Sequence, residues 1–148
     1  MTRAAPGMAV VIDTMVVSAL INPDRQHPES VEYRALIGER VIVVSFVTVT
    51  ELRYGALKAG WGELRRRGLE RDLGRLTVVQ PDDELMRICA VLRAECEREG
   101  HGLGHRIHEA DRWIAATALR LGIPLVSADG IYAGIDGLTV ESGRPRSS

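Results

Sequence analysis

The feature of this sequence that most constrains the fold is a short apolar run ending in a carboxylate. Residues 8–12 read Met-Ala-Val-Val-Ile, and Asp13 follows directly. Short, continuous β-branched runs are typical of strands buried on both faces, as in parallel sheets. In open α/β sheets, ligands bind beyond the carboxyl ends of the strands, where the strand order reverses. We therefore expect Asp13 to lie at a ligand-binding edge of the sheet.

The rest of the chain alternates strand patterns with helix patterns. Further strands are predicted over residues 41–46, 76–79, 124–127 and 138–140, and helices over 15–21, 27–37, 48–58, 63–73, 82–99 and 108–121. This alternation indicates βαβ units with right-handed crossovers. The prediction is an α/β fold with a central, mostly parallel sheet of about five strands and helices on both faces.

Composition narrows the class of protein. The length of 148 residues predicts one domain, with a core over about 8–140 and a frayed tail over 143–148. A net charge of -1 excludes nucleic-acid binding by bulk positive charge, so a polyanion must be held by a local patch or through metal. Cys89 and Cys96 lack metal-ligand spacing and fit buried residues of a cytoplasmic protein. No apolar run approaches the roughly 20 residues of a membrane span.

Four acidic residues occupy related positions along the predicted strands and helices. Asp13 and Asp129 come just after strands, and Glu51 and Asp111 lie near the starts of helices. Each also has a purely structural explanation. Asp13 suits a helix N-cap, and Glu51 completes the capping box Thr48-Val49-Thr50-Glu51. Asp111 suits the positive end of a helix dipole, and Asp129 precedes Gly130 in a turn signal.

The joint placement of the four acids carries more information than any one of them. A parallel sheet would bring all four to the same edge, where close carboxylates repel and their pKa values rise unless a cation compensates. Ligands that are all oxygen suit Mg²⁺ or Mn²⁺. A divalent ion held by carboxylates can activate water and offset charge on a phosphodiester.

Four segments together resemble a known family. They are Val11-Ile12-Asp13-Thr14, Thr50-Glu51-Leu52, Asp111-Arg112-Trp113-Ile114-Ala115-Ala116-Thr117-Ala118 and Ser127-Ala128-Asp129. From about residue 8 to residue 140 the chain resembles the PIN-domain family, and more narrowly the VapC-type ribonuclease toxins of type II toxin–antitoxin pairs. The resemblance implies a Rossmann-like PIN fold, Mg²⁺- or Mn²⁺-dependent endonucleolytic cleavage of RNA, a homodimer, and inhibition by a cognate VapB-like antitoxin that inserts into the active site.

The resemblance also implies roles for the four acids. Asp13, Glu51, Asp111 and Asp129 would form a catalytic acidic quartet. Asp13 and Asp111 would be the principal metal ligands. Asp129 and Glu51 would complete the site, directly or through water.

Four neighbouring residues are predicted to support this site. Thr14 and Ser127 would orient ligands or water. Arg53 and Arg112, each close to a proposed acid, would contact the substrate or the antitoxin. The segment 100–106 before the third acid is rich in Gly and His and departs from the family pattern, and Glu109 adds an acid that could compete for a role. The histidines at 101, 105 and 108 are expected in a solvent-exposed loop.

Other functions fit the sequence less well. A receiver domain would need a Lys near the last strand, an aspartyl-phosphate phosphatase would need a second acid soon after Asp13, and a dinucleotide enzyme would need a Gly-x-Gly-x-x-Gly loop. The alternative that stays open is a catalytically weak or inactive PIN domain that acts mainly as a protein-binding partner and retains its acids as an electrostatic patch.

Overall fold

A single parallel sheet forms the centre of the molecule. The structure, a computed structural model, describes residues 7–142, so the predicted tail at 143–148 lies outside the described residues. The strands are β1 Ala9–Ile12, β2 Val41–Ser45, β3 Thr77–Val79, β4 Leu125–Val126 and β5 Val140–Glu141. All four pairings are parallel, in the order β3-β2-β1-β4-β5. The predicted five-stranded parallel sheet is confirmed.

Helices cover both faces of this sheet. They are α1 Thr14–Leu20, α2 Pro28–Ile37, α3 Phe46–Lys58, α4 Glu63–Leu73, α5 Asp83–Glu99 and α6 Glu109–Leu121, with short 3-10 turns at Gly102–Gly104, Arg106–His108 and Gly130–Tyr132. Successive β1 residues enter opposite cores: Val11 packs with residues of α5 and α6, and Val10 with residues of α1 to α4. This two-sided burial explains why the strand is apolar throughout. Cys89 and Cys96 are buried free thiols, as predicted.

The strand order reverses at β1, which has β2 on one side and β4 on the other. Ile12 and Val126 are register partners at the carboxyl ends of β1 and β4. Asp13 and Ser127 follow these two residues, so the side chains after the two strands start from adjacent points. The sheet therefore places Asp13 at the kind of edge where α/β proteins bind ligands.

Helix α3 begins earlier than the sequence predicts, at Phe46 rather than Thr48. The N-cap is Ser45, the last residue of β2, whose hydroxyl accepts a hydrogen bond from the Val47 N–H at 3.2 Å. The predicted capping box over residues 48–51 is therefore wrong. The apolar Phe46 reads as a continuation of the strand, but the Ser45 hydroxyl ends β2 by capping the next helix. Glu51 consequently lies inside α3, free of a capping role.

The Gly/His segment is held firmly between α5 and α6. Buried Arg112 donates hydrogen bonds from its guanidinium to the carbonyls of Leu103, at 3.0 Å, and His105, at 2.6 Å. Gly104 packs so closely on α5 that an added Cβ would lie 2.7 Å from the Glu97 amide nitrogen. Two 3-10 turns thus replace the predicted loop.

Among the helices of residues 7–142, none is both long and apolar enough to cross a membrane.

Candidate active site

Asp13 lies at the junction of β1 and α1 and is only 5% exposed. Its Oδ1 accepts a hydrogen bond from the Val16 N–H at 2.9 Å, which makes it the N-cap of α1, and its Oδ2 accepts one from the Ser127 hydroxyl. Burial raises the pKa of this carboxyl, and the two hydrogen bonds oppose the rise. The negative charges of Asp129 and Asp111 raise it further. The capping role predicted for Asp13 therefore coexists with a place among other acids.

Ser127 joins Asp13 to the segment after β4. Its hydroxyl donates to Asp13 Oδ2 and accepts a hydrogen bond from the Asp129 N–H at 3.0 Å. Asp129 Oδ1 in turn accepts one from the Ile131 N–H at 3.0 Å and caps the 3-10 turn that follows. The turn predicted at Asp129 is confirmed, and it leaves this acid close enough to Asp13 to act on its pKa.

A pair of threonine hydroxyls connects Glu51 to the same edge. Thr14 Oγ1 lies 2.7 Å from Glu51 Oε1 and 3.0 Å from the Oγ1 of buried Thr48. A carboxylate only accepts hydrogen bonds, so Thr14 donates to Glu51 and Thr48 donates to Thr14. Because Thr14 directly follows Asp13, its hydroxyl holds Glu51 beside the start of α1.

Asp111, in the first turn of α6, has hydrogen-bond partners that the sequence did not point to. Its Oδ2 lies 2.8 Å from His108 Nδ1, and its Oδ1 accepts a hydrogen bond from the Tyr132 hydroxyl at 3.2 Å. Burial raises the pKa of Tyr132, and the nearby charges of Asp111 and Asp13 raise it further, so the hydroxyl stays a donor. The expectation of solvent-exposed histidines holds for His105 but is wrong for His101 and His108, which are half-buried. The spacing of three between His108 and Asp111 is the signal that could have found this pair.

Three of the four predicted acids share one electrostatic environment. The charges acting on the Asp13 pKa are those of Asp129 and Asp111, and all three acids raise the pKa of Tyr132. Glu51 joins through Thr14, whereas Glu109 is exposed. Within residues 7–142, no group of three or more His, Cys, Asp or Glu side chains already stands close enough to hold a metal ion.

The chemistry of these groups nevertheless suits a hard divalent cation. The ligands on offer are carboxylate and hydroxyl oxygens, which Mg²⁺ and Mn²⁺ prefer. The charges that shift the pKa of the buried Asp13 are those of two other carboxylates, Asp129 and Asp111, and both raise it. A cation between them would lower the repulsion that now raises that pKa. Because no three of these side chains stand within reach of one ion, bridging water or a small movement of the chain would complete its coordination.

The two arginines predicted as partner contacts lie in different surroundings. Arg112 is 2% exposed, and backbone carbonyls occupy its guanidinium. Contact with a substrate or antitoxin does not fit Arg112, because its donors fix the Gly/His segment instead. Arg53 is exposed and makes a two-point ion pair with Glu70, at 3.1 Å and 2.7 Å, on the surface of α3 and α4.

A groove of about 590 Å³ opens beside Thr14 and Glu51. Residues of α1, α3 and α4 and the segments that follow α1 and α3 line it, with Trp61 and Arg65 among them. The Arg65 guanidinium stacks on the Trp61 ring, 3.7 Å from the ring centroid. The groove thus combines an apolar lining with a cation, next to one of the four acids.

The fold and its edge of acids define a class of protein, and comparison with known families identifies it. A family model of the PIN domain matches residues 10–138, and the chain belongs to the PIN-domain family. More narrowly, it is homologous to the VapC ribonucleases. Ribonuclease VapC5 of Mycobacterium tuberculosis is 33% identical over 131 residues, covering 87% of this chain and 89% of the relative.

Solved structures agree with this assignment. VapBC-5 of Mycobacterium tuberculosis, a member of the VapBC family of toxin–antitoxin systems, is 30% identical and covers 91% of this chain and 97% of its own, with a TM-score of 0.63. VapBC2 of Rickettsia felis, solved with a DNA fragment from its promoter, shares the fold. It is 24% identical with a TM-score of 0.74, and the match covers 91% of this chain and 98% of that one.

Proposed function

We propose that this chain is an endoribonuclease toxin that cleaves RNA phosphodiester bonds with Mg²⁺ or Mn²⁺. The observation that carries the proposal is the buried Asp13 carboxylate at the strand reversal, with two further carboxylates acting on its pKa. A carboxylate in that position is costly unless a cation offsets it. Homology to VapC ribonucleases supports RNA as the substrate.

The proposed site divides its tasks among named residues. Asp13, Asp111 and Asp129 would hold the metal, and Glu51 would complete the site directly or through water. When bound, the ion would supply an activated water and offset charge on the phosphate. Ser127 fixes Asp13 against the segment that carries Asp129.

Glu51 is the acid best placed to handle a proton. Its side chain is exposed, and Thr14 holds Oε1 at 2.7 Å. In the proposed reaction it accepts a proton from the attacking water, a task that requires an oriented carboxylate within hydrogen-bond reach of that water. Thr48 fixes the Thr14 hydroxyl in turn, so Glu51 needs little reorientation before reaction.

The proposed partners follow from the relatives. A VapB-like antitoxin would inhibit the chain, since the solved relatives include VapBC toxin–antitoxin complexes. The groove lined by Thr14 and Glu51 offers room for an inserted segment beside one of the four acids. We also propose a homodimer and a cytoplasmic location.

Cleavage of cellular RNA tests the proposal. Purified, antitoxin-free protein is incubated with total RNA and Mg²⁺ or Mn²⁺, and new 5′ ends are mapped. Discrete cuts are expected, and they should vanish with EDTA and in Asp13→Asn. Asp136→Asn, which changes an exposed acid outside the site, should cut like wild type. If folded wild-type protein makes no cuts with either metal, the protein-binding alternative is favoured instead.

A further inference from the structure

Asp111 differs from the other acids of the site because side chains hold both of its oxygens. His108 lies 2.8 Å from Oδ2, and the Tyr132 hydroxyl lies 3.2 Å from Oδ1. We propose that His108 and Tyr132 are positioning residues that fix the Asp111 carboxylate in the orientation needed to bind the divalent ion. The inference rests on the proposed metal-dependent function and assigns a task to residues outside the acidic quartet.

The hydrogen bonds leave Asp111 able to bind a cation. An ionised carboxylate offers about four lone-pair sites on its two oxygens. One donor on each oxygen leaves about half of those sites open. His108 must present Nδ1–H to such an oxygen, because the oxygen can only accept. The two donors thus restrict rotation of the side chain while lone pairs remain for the ion.

Tyr132 connects this arrangement to another acid. It ends the 3-10 turn that Asp129 caps, and its side chain is 1% exposed. The buried ring cannot swing away without opening the core, so its hydroxyl is a fixed donor. A single turn therefore carries both Asp129 and the residue that holds Asp111, which couples the positions of the two acids.

The Gly/His segment holds the same arrangement from its other side. His101 Nδ1 accepts a hydrogen bond from the Leu103 N–H at 3.0 Å, so Nε2 carries the proton and donates to the Ala133 carbonyl at 2.6 Å. Ala133 directly follows Tyr132. The segment 101–108 thus touches the turn through His101 and Asp111 through His108, which gives this unusual stretch a role in the site.

Local helix stabilisation is the competing explanation for His108. It is the N-cap residue of α6, and its side chain makes no hydrogen bond to the helix N–H groups. It bonds the side chain of Asp111 instead. A residue serving only the helix start would affect stability and leave metal binding unchanged. Metal affinity measured without RNA therefore separates the two roles.

The test measures Mn²⁺ binding to purified protein by the loss of the free-ion EPR signal. Tyr132→Phe, which removes one hydroxyl, and His108→Ala should each weaken Mn²⁺ binding by about 10-fold, as outer-sphere partners of ligands commonly do. His108→Asn should recover most of the affinity, because its amide nitrogen lies near the position of Nδ1. Tyr54→Phe and His105→Ala, at exposed positions, are the matched controls and should bind like wild type.

RNA cleavage and thermal unfolding complete the experiment. The kcat for RNA should fall with Mn²⁺ affinity in Tyr132→Phe and His108→Ala, while KM for RNA stays the same. Unchanged Mn²⁺ affinity in both variants, or a lowered Tm alone, would overturn the positioning role. His108→Asn behaving like His108→Ala would also overturn it for His108. If the wild-type chain binds no Mn²⁺, the proposed metal site itself is overturned, and this result differs from a metal site that does not depend on His108 and Tyr132.

Discussion

At the scale of single residues, Asp13 shows how folding and chemistry compete at one position. Its Oδ1 caps α1 and so stabilises the fold. Its negative charge is nearly excluded from water and faces two further carboxylates, which raises its pKa. Both roles were predictable from the sequence, since an acid after a buried strand suits a cap and a strand-end site alike. How strongly the fold opposes the negative charge of Asp13 becomes clear only from the burial of this side chain in the structure.

Asp13→Asn should therefore stabilise the metal-free protein while removing cleavage. The amide keeps an oxygen for the Val16 N–H, and the Ser127 hydroxyl can turn to accept from its nitrogen. We expect the free energy of unfolding at pH 7 to rise by about 0.5–2 kcal/mol, the usual range for a single stabilising substitution. Urea denaturation of the wild type and of Asp13→Asn, in buffer that contains EDTA, measures this difference in the free energy of unfolding.

The pH dependence of this difference has a defined sign. The folded-state pKa of Asp13 lies above the ordinary value of 3.8, so the wild-type carboxyl favours folding only when protonated. That contribution is full below pH 3.8 and is lost as the pH rises through the folded-state pKa. The advantage of Asp13→Asn should grow from acid to neutral pH. An advantage that shrinks on the way to neutral pH would contradict the assigned direction of the shift.

At the scale of elements, short-range contacts decide where helices begin and how segments pack. Ser45 moves the start of α3 ahead of the predicted capping box, and this shift frees Glu51 to bond Thr14. Gly104 lets the Gly/His segment approach the backbone of α5. The sequence marks Gly104 only as a loop residue, because the close neighbour comes from a different element.

Two glycine substitutions should have opposite effects on stability. Gly104→Ala forces a Cβ to within 2.7 Å of the Glu97 amide nitrogen, and we expect a loss of about 1–3 kcal/mol, as for other overpacked sites. Gly68→Ala, inside α4 with nothing within 4 Å of its added Cβ, should gain about 0.5–1 kcal/mol. Urea denaturation compares the pair. If the two substitutions change the free energy of unfolding equally, then α5 and the Gly/His segment can separate at little cost.

At the scale of the whole molecule, the strands of the sheet are easier to predict from the sequence than the side chains that surround the acids. Apolar runs such as 9–12 identify buried strands, and the alternation of strands with helices predicts that the strands run parallel. The role of Arg112 was missed because its partners are carbonyls of a turn that no pattern specifies. Tyr132 was missed because its hydroxyl reaches Asp111 only after β4 and α6 have packed. Strand patterns are local, whereas the donors around the acids come from several elements.

The central claim is that the carboxylates at the strand reversal bind a catalytic divalent ion. The most direct measurement is an anomalous difference map from a crystal soaked in Mn²⁺. We predict a peak bound by Asp13 and Asp111, about 2.0–2.6 Å from carboxylate oxygens, the range of hard divalent ions. The peak should be absent in Asp13→Asn. A wild-type crystal with no peak at these acids, or an equal peak in Asp13→Asn, would contradict the account.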